Sequence, residues 1–228
     1  MTGFPLHSEC VWPGRRTDLF VAHESIYEFF ATFVKNRRVL DAGSGAGYGA
    51  AILRRRGASA VWGVDLNPRH VRYARRHFGA RGIEFSIANC ENLQLEPGTF
   101  DLVVSSNVME HLENPAAFVR AAAVGLVACG EMLLAVPWIV DEASRRLNTA
   151  IEFHRSNLTP HEWSSLFAAE GWKSRVWLQT FDPTTGVPDF FESRPTRRAV
   201  ADFPLVPVSL DEISRPYVLG LLFHLTRE

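Results

Sequence analysis

The chain has 228 residues, 46% of them hydrophobic and 21% charged, enough for one sizeable buried core and ordinary for a globular protein in water. Its net charge of −1 and isoelectric point near 6.7 leave no overall basic footprint for nucleic acid. Three widely spaced cysteines, Cys10, Cys90 and Cys129, indicate neither a disulfide framework nor a zinc site. With no run of 18 apolar residues and no signal-peptide pattern at the N-terminus, a cytoplasmic enzyme that does not engage a membrane is expected.

Residues 1–20 carry Pro5, Pro13 and Gly14 without a clear period and read as an irregular arm. Apolar positions at Ile26, Phe29, Phe30, Phe33 and Val34 predict a helix over 23–35. A short apolar run directly before the glycine turn is the first strand, with a helix over 46–56 behind that turn and a second strand over 60–65. Asn67 followed by Pro68 is an N-cap with proline at the first helical position, opening a helix to about Phe78. Residues 83–87 alternate as a strand, and 100–105 form the nearly continuous apolar run of a buried parallel strand. Asn114-Pro115 repeats the capping device for a helix over 115–126, and 131–136 is a fifth strand. The basic clusters Arg54–Arg56 and Arg69, Arg72, Arg75 and Arg76 fall on these helices and read as solvated faces.

Five alternations of strand and helix specify an α/β, doubly wound parallel sheet with helices on both faces. Such sheets take ligands at the carboxyl ends of their strands, beside the point where strand order reverses. Beyond residue 137 the pattern changes: a polar helix candidate lies near 141–150, and Thr159-Pro160-His161-Glu162 is a capping box opening a helix that stops at Gly171. Residues 172–180 and 217–225 read as strands, separated by a proline-bearing excursion over 181–216 with Pro216 at its end.

Asp41-Ala42-Gly43-Ser44-Gly45-Ala46-Gly47 follows the first strand directly. Glycine belongs where φ is positive or where backbone must approach a ligand, and a strand, a glycine turn and a helix start gather free N–H groups at one point. Asp65 ends the second strand, where a carboxylate can accept both hydroxyls of a ribose. An adenosine-type cofactor is therefore expected. The dinucleotide pattern G-x-G-x-x-G/A fails when counted from Gly43, because Tyr48 holds the third position. Counted from Gly45 it passes, but too far from the strand. An acid at Asp41 would also oppose a pyrophosphate, whereas it suits a ligand carrying ammonium and sulfonium charges.

An acid followed by G-x-G-x-G, with a second acid at Asp65, resembles the class I (Rossmann-like) S-adenosylmethionine-dependent methyltransferases over roughly residues 36–180. The resemblance implies a seven-stranded, mostly parallel sheet closed by an antiparallel strand beside the fifth. It implies one methyltransferase domain over 1–228: an arm and lid helix (1–35), a cofactor core (36–180), a variable excursion (181–216) and a closing strand (217–228). It implies S-adenosyl-L-methionine as cofactor and S-adenosyl-L-homocysteine as product, with Asp41, Gly43, Gly45, Gly47, Asp65 and Leu66 around them. Asn89 stands where the family usually has an acid for the adenine amine, and Cys90 would pack on the ring. Ser106 and Asn107 would lie beside the methionine part, and Tyr27, with Phe20 and His23, would close over the cofactor.

His111 and His154 are the general-base candidates, since imidazole titrates near neutrality. The expected acceptor is a small molecule or glycan methylated at oxygen, with no nucleic acid partner. Two other readings stand beside it. Some RNA 2′-O-methyltransferases hold magnesium through a Glu-His loop like Glu110-His111, but Asn107 occupies the place of their first glutamate, so no metal is expected. A catalytically inactive cofactor-binding scaffold of the same fold is the other alternative.

Overall fold

In the computed structural model, residues 10–14, 16–190, 194–212 and 217–227 are described. Pro5 of the arm and Pro216 of the excursion therefore lie outside the described residues. The elements are α1 (Asp18–Phe30), β1 (Arg38–Ala42), α2 (Tyr48–Arg55), β2 (Ala60–Asp65), α3 (Pro68–Phe78), β3 (Ile83–Ile87), β4 (Phe100–Ser106), α4 (Pro115–Gly125), β5 (Leu126–Pro137), α5 (Glu142–Thr149), α6 (Pro160–Ala169), β6 (Lys173–Thr180), β7 (Leu205–Val208) and β8 (Val218–Thr226).

The capping residues work as the sequence implies. Asn67 accepts from Arg69 N at 2.9 Å and Asn114 from Ala117 N at 3.1 Å. At α6, Thr159 Oγ1 accepts from Glu162 N while Glu162 accepts from Thr159 N, so two otherwise unpaired N–H groups are satisfied reciprocally. Helix α1 corrects the expectation of an irregular stretch to residue 20 followed by a helix over 23–35. It starts five residues earlier because Thr17 Oγ1 caps Phe20 N at 3.2 Å, and it ends at Phe30, with residues 31–33 tightening into a 3₁₀ turn.

The sheet has the order β3-β2-β1-β4-β5-β8-β6-β7. Its first five strands are parallel, and β8 runs antiparallel between β5 and β6. There are eight strands, one more than expected. The extra one, β7, comes from the excursion and pairs antiparallel with the outer edge of β6, with Pro207 opposite Trp177. Four residues interrupted by proline carry no readable period, and proline is tolerated on such an edge because one side of the strand needs no donor.

Alternation along the strands divides the core between the two faces. Leu40, Val103, Phe118, Phe167 and Phe223 pack on one side. Val39, Leu53, Val61, Leu102 and Leu133 pack on the other with Phe30 and Tyr27 of α1. A smaller cluster of Val21, Ala22, Phe181 and Phe203 fastens the excursion to α1. Strand order reverses between β1 and β4, so the loops leaving these strands diverge and open a crevice at their carboxyl ends.

Candidate active site

That crevice is a cavity of about 1090 Å³. Gly43, Gly45, Asp65, Leu66, Asn89, Cys90, Ser106, Asn107, Tyr27, His111 and His154, all singled out from the sequence, line it. Gly43, Gly45 and Gly47 have φ of 76°, 51° and 86°, the left-handed region that glycine enters without penalty. Gly45 lies under the arm, where an added Cβ would sit 3.0 Å from Cys10 Sγ. Gly47 does not line the cavity. A Cβ there would come within 2.6 Å of Ala74 and 2.8 Å of Phe85, so its smallness seats α2 against α3 and β3.

Asp65 is held by three groups. Its Oδ2 accepts from Gly45 N at 2.9 Å, and its Oδ1 accepts from Asn67 N at 2.8 Å and lies 3.1 Å from His70 Nδ1. The carboxylate is thereby fixed with lone pairs left over, since it can accept about four bonds. His70 was not singled out from the sequence. It is buried on the inward face of α3, and Trp12 of the arm packs edge-on against it at 5.4 Å. A histidine five residues after a strand-end acid was the available signal.

Asp41 lies beneath the turn, fully buried and off the cavity lining, and its Oδ1 accepts from Tyr27 Oη at 3.0 Å. Burial raises its pKa to about 7, against the lowering effect of the tyrosine bond. Asn89 Oδ1 accepts from Glu91 N at 2.9 Å, so it turns the chain after β3 while still bordering the cavity. Burial pushes the Cys90 thiol up to about 12, leaving it a neutral packing group. Leu66 is 65% exposed at the lip.

After β4, Asn107 adopts φ of 52°, a conformation asparagine tolerates, and its amide nitrogen sits 3.1 Å from His23 Nε2. Burial lowers the His23 pKa to about 4, so its neutral ring can accept there. His111 Nδ1 lies 3.1 Å from the Phe153 carbonyl and must donate to it, which leaves Nε2 as the lone-pair nitrogen of the neutral ring. His154 packs edge-on to His111 with centroids 5.0 Å apart. Burial first, and then His111, lower its pKa to about 4. Glu110 is 2% exposed, and its Oε2 has no hydrogen-bond partner among the described residues. Burial raises its pKa to about 8. Its backbone carbonyl accepts from Arg155 N and Ser156 N at 2.6 and 2.9 Å, which draws the segment after α5 onto the loop after β4.

The donor atoms of Glu110, His111 and His154 lie within 4.8 Å of one another. One carboxylate and two imidazoles make a poor set for magnesium, which prefers several oxygen ligands, and Asn107 is turned toward His23.

Residues 40–133 match the family model described as a methyltransferase domain. Over those residues the chain carries a methyltransferase domain with the Rossmann-like fold of class I S-adenosylmethionine-dependent methyltransferases. It is 39% identical over 94 residues to a ubiquinone biosynthesis O-methyltransferase of Neisseria meningitidis, covering 40% of each chain. It is 32% identical over 152 residues to a "Probable S-adenosylmethionine-dependent methyltransferase" of Mycobacterium tuberculosis, covering 67% of this chain and 54% of that one. The chain thus spans about half or less of the length of these two curated relatives. A crystal structure of an S-adenosylmethionine-dependent methyltransferase from Mesorhizobium loti shares the fold with a TM-score of 0.64 at 20% identity, covering 90% of this chain and 98% of that one.

The cavity fits the family's cofactor on its own chemistry. It offers a glycine turn over which a ligand can lie and an oriented acid at Asp65. Ser44 Oγ and Ser106 Oγ on the lining are buried without hydrogen-bond partners among the described residues.

Proposed function

We propose that the chain is a methyltransferase acting at an oxygen of a small-molecule acceptor, within a cytoplasmic compartment and without a nucleic acid partner. The observation that carries this reading is the convergence of the glycine turn, Asp65 and the His111–His154 pair on one cavity. The O-methyltransferase names among the relatives support oxygen as the methylated atom and a small molecule as acceptor. No described helix is long and apolar enough to cross a membrane. Bound S-adenosylmethionine supplies a methyl group already activated by a sulfonium. The chain therefore has to hold, align and desolvate the reactants more than activate the donor.

On this reading Gly43 and Gly45 let the cofactor lie against backbone, and Asp65 receives the ribose hydroxyls. Ser106 and the loop to Asn107 border the methionine part, and Asn89, Cys90 and Leu66 border the adenine. Tyr27 braces Asp41 beneath the turn, where a cation above would favour the ionised carboxylate. His111 Nε2 takes the acceptor's hydroxyl proton as methyl transfer proceeds, oriented by the bond from Nδ1 to Phe153 O. His154 stays neutral against it and limits water access.

Isothermal titration with S-adenosylhomocysteine, S-adenosylmethionine and NAD, followed by transfer of labelled methyl groups to hydroxylated small molecules, tests the reading. Binding of the first two with turnover on an oxygen acceptor is expected. Binding of NAD alone, or cofactor binding with no transfer to any acceptor, would replace it with a dinucleotide enzyme or a scaffold.

A further inference from the structure

We propose that the acceptor is an anionic molecule with a flat apolar body, held through its acid group by Arg155; this rests on the acceptor half of the cavity assigned above. Among the described residues, three acids and one arginine line the cavity: Asp65, Glu91, Glu110 and Arg155. The three acids are accounted for. Asp65 is fixed by Gly45 N and Asn67 N, and Glu91 Oε1 accepts from Asn114 N at 2.6 Å. Glu110 is buried away from any cation that could hold it ionised, and it keeps its proton at neutral pH.

Arg155 differs from all three. Among the described residues its guanidinium has no ion-pair or hydrogen-bond partner. On α5 itself, Arg145 pairs with Glu162 and Arg146 with Glu142. Its backbone is nevertheless pinned, because Arg155 N donates to Glu110 O at 2.6 Å. The unpaired cation is thus anchored one residue from His154 and two from Phe153, whose carbonyl orients the His111 ring.

The walls around it set the rest of the acceptor. Trp138, Ile151, Phe153 and Phe190 line the cavity, and flat aromatic walls favour a planar apolar body over a sugar ring bristling with hydroxyls. A guanidinium presents a fork of donors that fits a carboxylate or a phosphate in two parallel hydrogen bonds. An acceptor that combines an apolar plane, an acid group and a hydroxyl within reach of His111 engages Arg155, the apolar walls and His111 together.

Matched pairs of probes test this: 4-hydroxyphenylacetate and 4-hydroxycinnamate, each beside its primary amide, titrated into protein saturated with S-adenosylhomocysteine. At low salt each acid should bind about 2–5-fold more tightly than its amide, the scale of a charged contact open to solvent. The preference should shrink as salt is raised and collapse to about unity in Arg155→Gln. Arg146→Gln removes the same charge from α5 outside the cavity lining and should leave the preference in place. Equal binding of acid and amide, no binding of either probe pair, or a preference that survives Arg155→Gln overturns the proposal. Failure of S-adenosylhomocysteine to bind at all would instead overturn the methyltransferase reading beneath it.

Discussion

The cofactor half and the acceptor half of the cavity are built in different ways. Around the glycine turn, two side chains are fixed by nearby backbone: Asp65 by Gly45 N and Asn67 N, Asn89 by Glu91 N. These contacts span a few residues or adjacent strand ends, and the loops carrying them leave β1, β2 and β3 side by side. On the acceptor side, Glu110, His111, His154 and Arg155 come together only because β5 and α5 return the chain onto the loop after β4. Both halves keep buried polar atoms without partners among the described residues, Ser44 Oγ and Ser106 Oγ on the cofactor side and Glu110 Oε2 and His154 Nδ1 on the acceptor side. A half made of short-range backbone contacts suits a ligand shared across a family. A half held by long-range packing suits one that differs between members.

The comparison breaks first at Gly45. Replacing it by valine places a branched side chain at φ of 51° beneath Cys10, at a strain of about 1–3 kcal/mol, and on the proposed reading fills the surface on which the cofactor would lie. Titration should show S-adenosylhomocysteine affinity reduced more than about 100-fold, on the scale where 1.4 kcal/mol is tenfold. A folded variant with normal affinity would show that the turn is not ligand surface.

Asp65→Ala should be next in size. On the proposed reading two charged hydrogen bonds to the ribose would be lost with the anchors of Gly45 N, Asn67 N and His70, weakening S-adenosylhomocysteine by about 1.5–3 kcal/mol with the melting profile still cooperative. Unchanged affinity would remove Asp65 from the site.

A smaller effect sharpens the acceptor half. Asp41 and Glu110 keep their protons to about pH 7 and 8 in the folded protein, whereas unfolded they ionise near 3.8 and 4.5. Their contribution to stability is full below the unfolded values and is lost as pH rises through the folded ones. His23 and His154, lowered from 6.5 to about 4, work in the opposite direction and cost stability as pH falls below 6.5. The two sets oppose each other between roughly pH 4.5 and 6.5, and only the acids act above that window. The thermal midpoint of the ligand-free protein should therefore decline from pH 6.5 to 8, and Glu110→Gln should flatten that decline. An identical slope in the variant would mean Glu110 is ionised throughout.

The smallest expected effect is none. With one carboxylate among Glu110, His111 and His154, the set is too poor in oxygen for magnesium, and EDTA should leave turnover unchanged. Loss of turnover on chelation, restored by magnesium, would make the two halves differ in metal dependence as well.

What could be read in the sequence follows the same division. The glycine turn, Asp65 and the Asn67-Pro68, Asn114-Pro115 and Thr159-Pro160 starts were legible because each acts within a few residues. Thr17 was missed because the apolar positions after it set a persuasive period from Ile26 onward, which masked the earlier cap. Strand β7 was missed because it pairs only with an edge, and Pro207 erases its alternation. The packing of His111 against His154 had no local signal: the contact depends on how far β5 and α5 carry the chain before it turns back.

Strand β8 completes the sheet from the inside. It lies between β5 and β6, pairing Leu134 with Phe223 on one side and Val176 with the same Phe223 on the other. While the chain is being synthesised, β6 and β7 can form their hairpin but cannot join the parallel half, because the strand that bridges them has not yet emerged. The open edges of β5 and β6 are two exposed pairing templates during that interval, and another copy of the chain could occupy either. The emergence of β8 therefore sets how long the molecule is vulnerable to aggregation. Closing it is a late event of high contact order and should govern the folding rate.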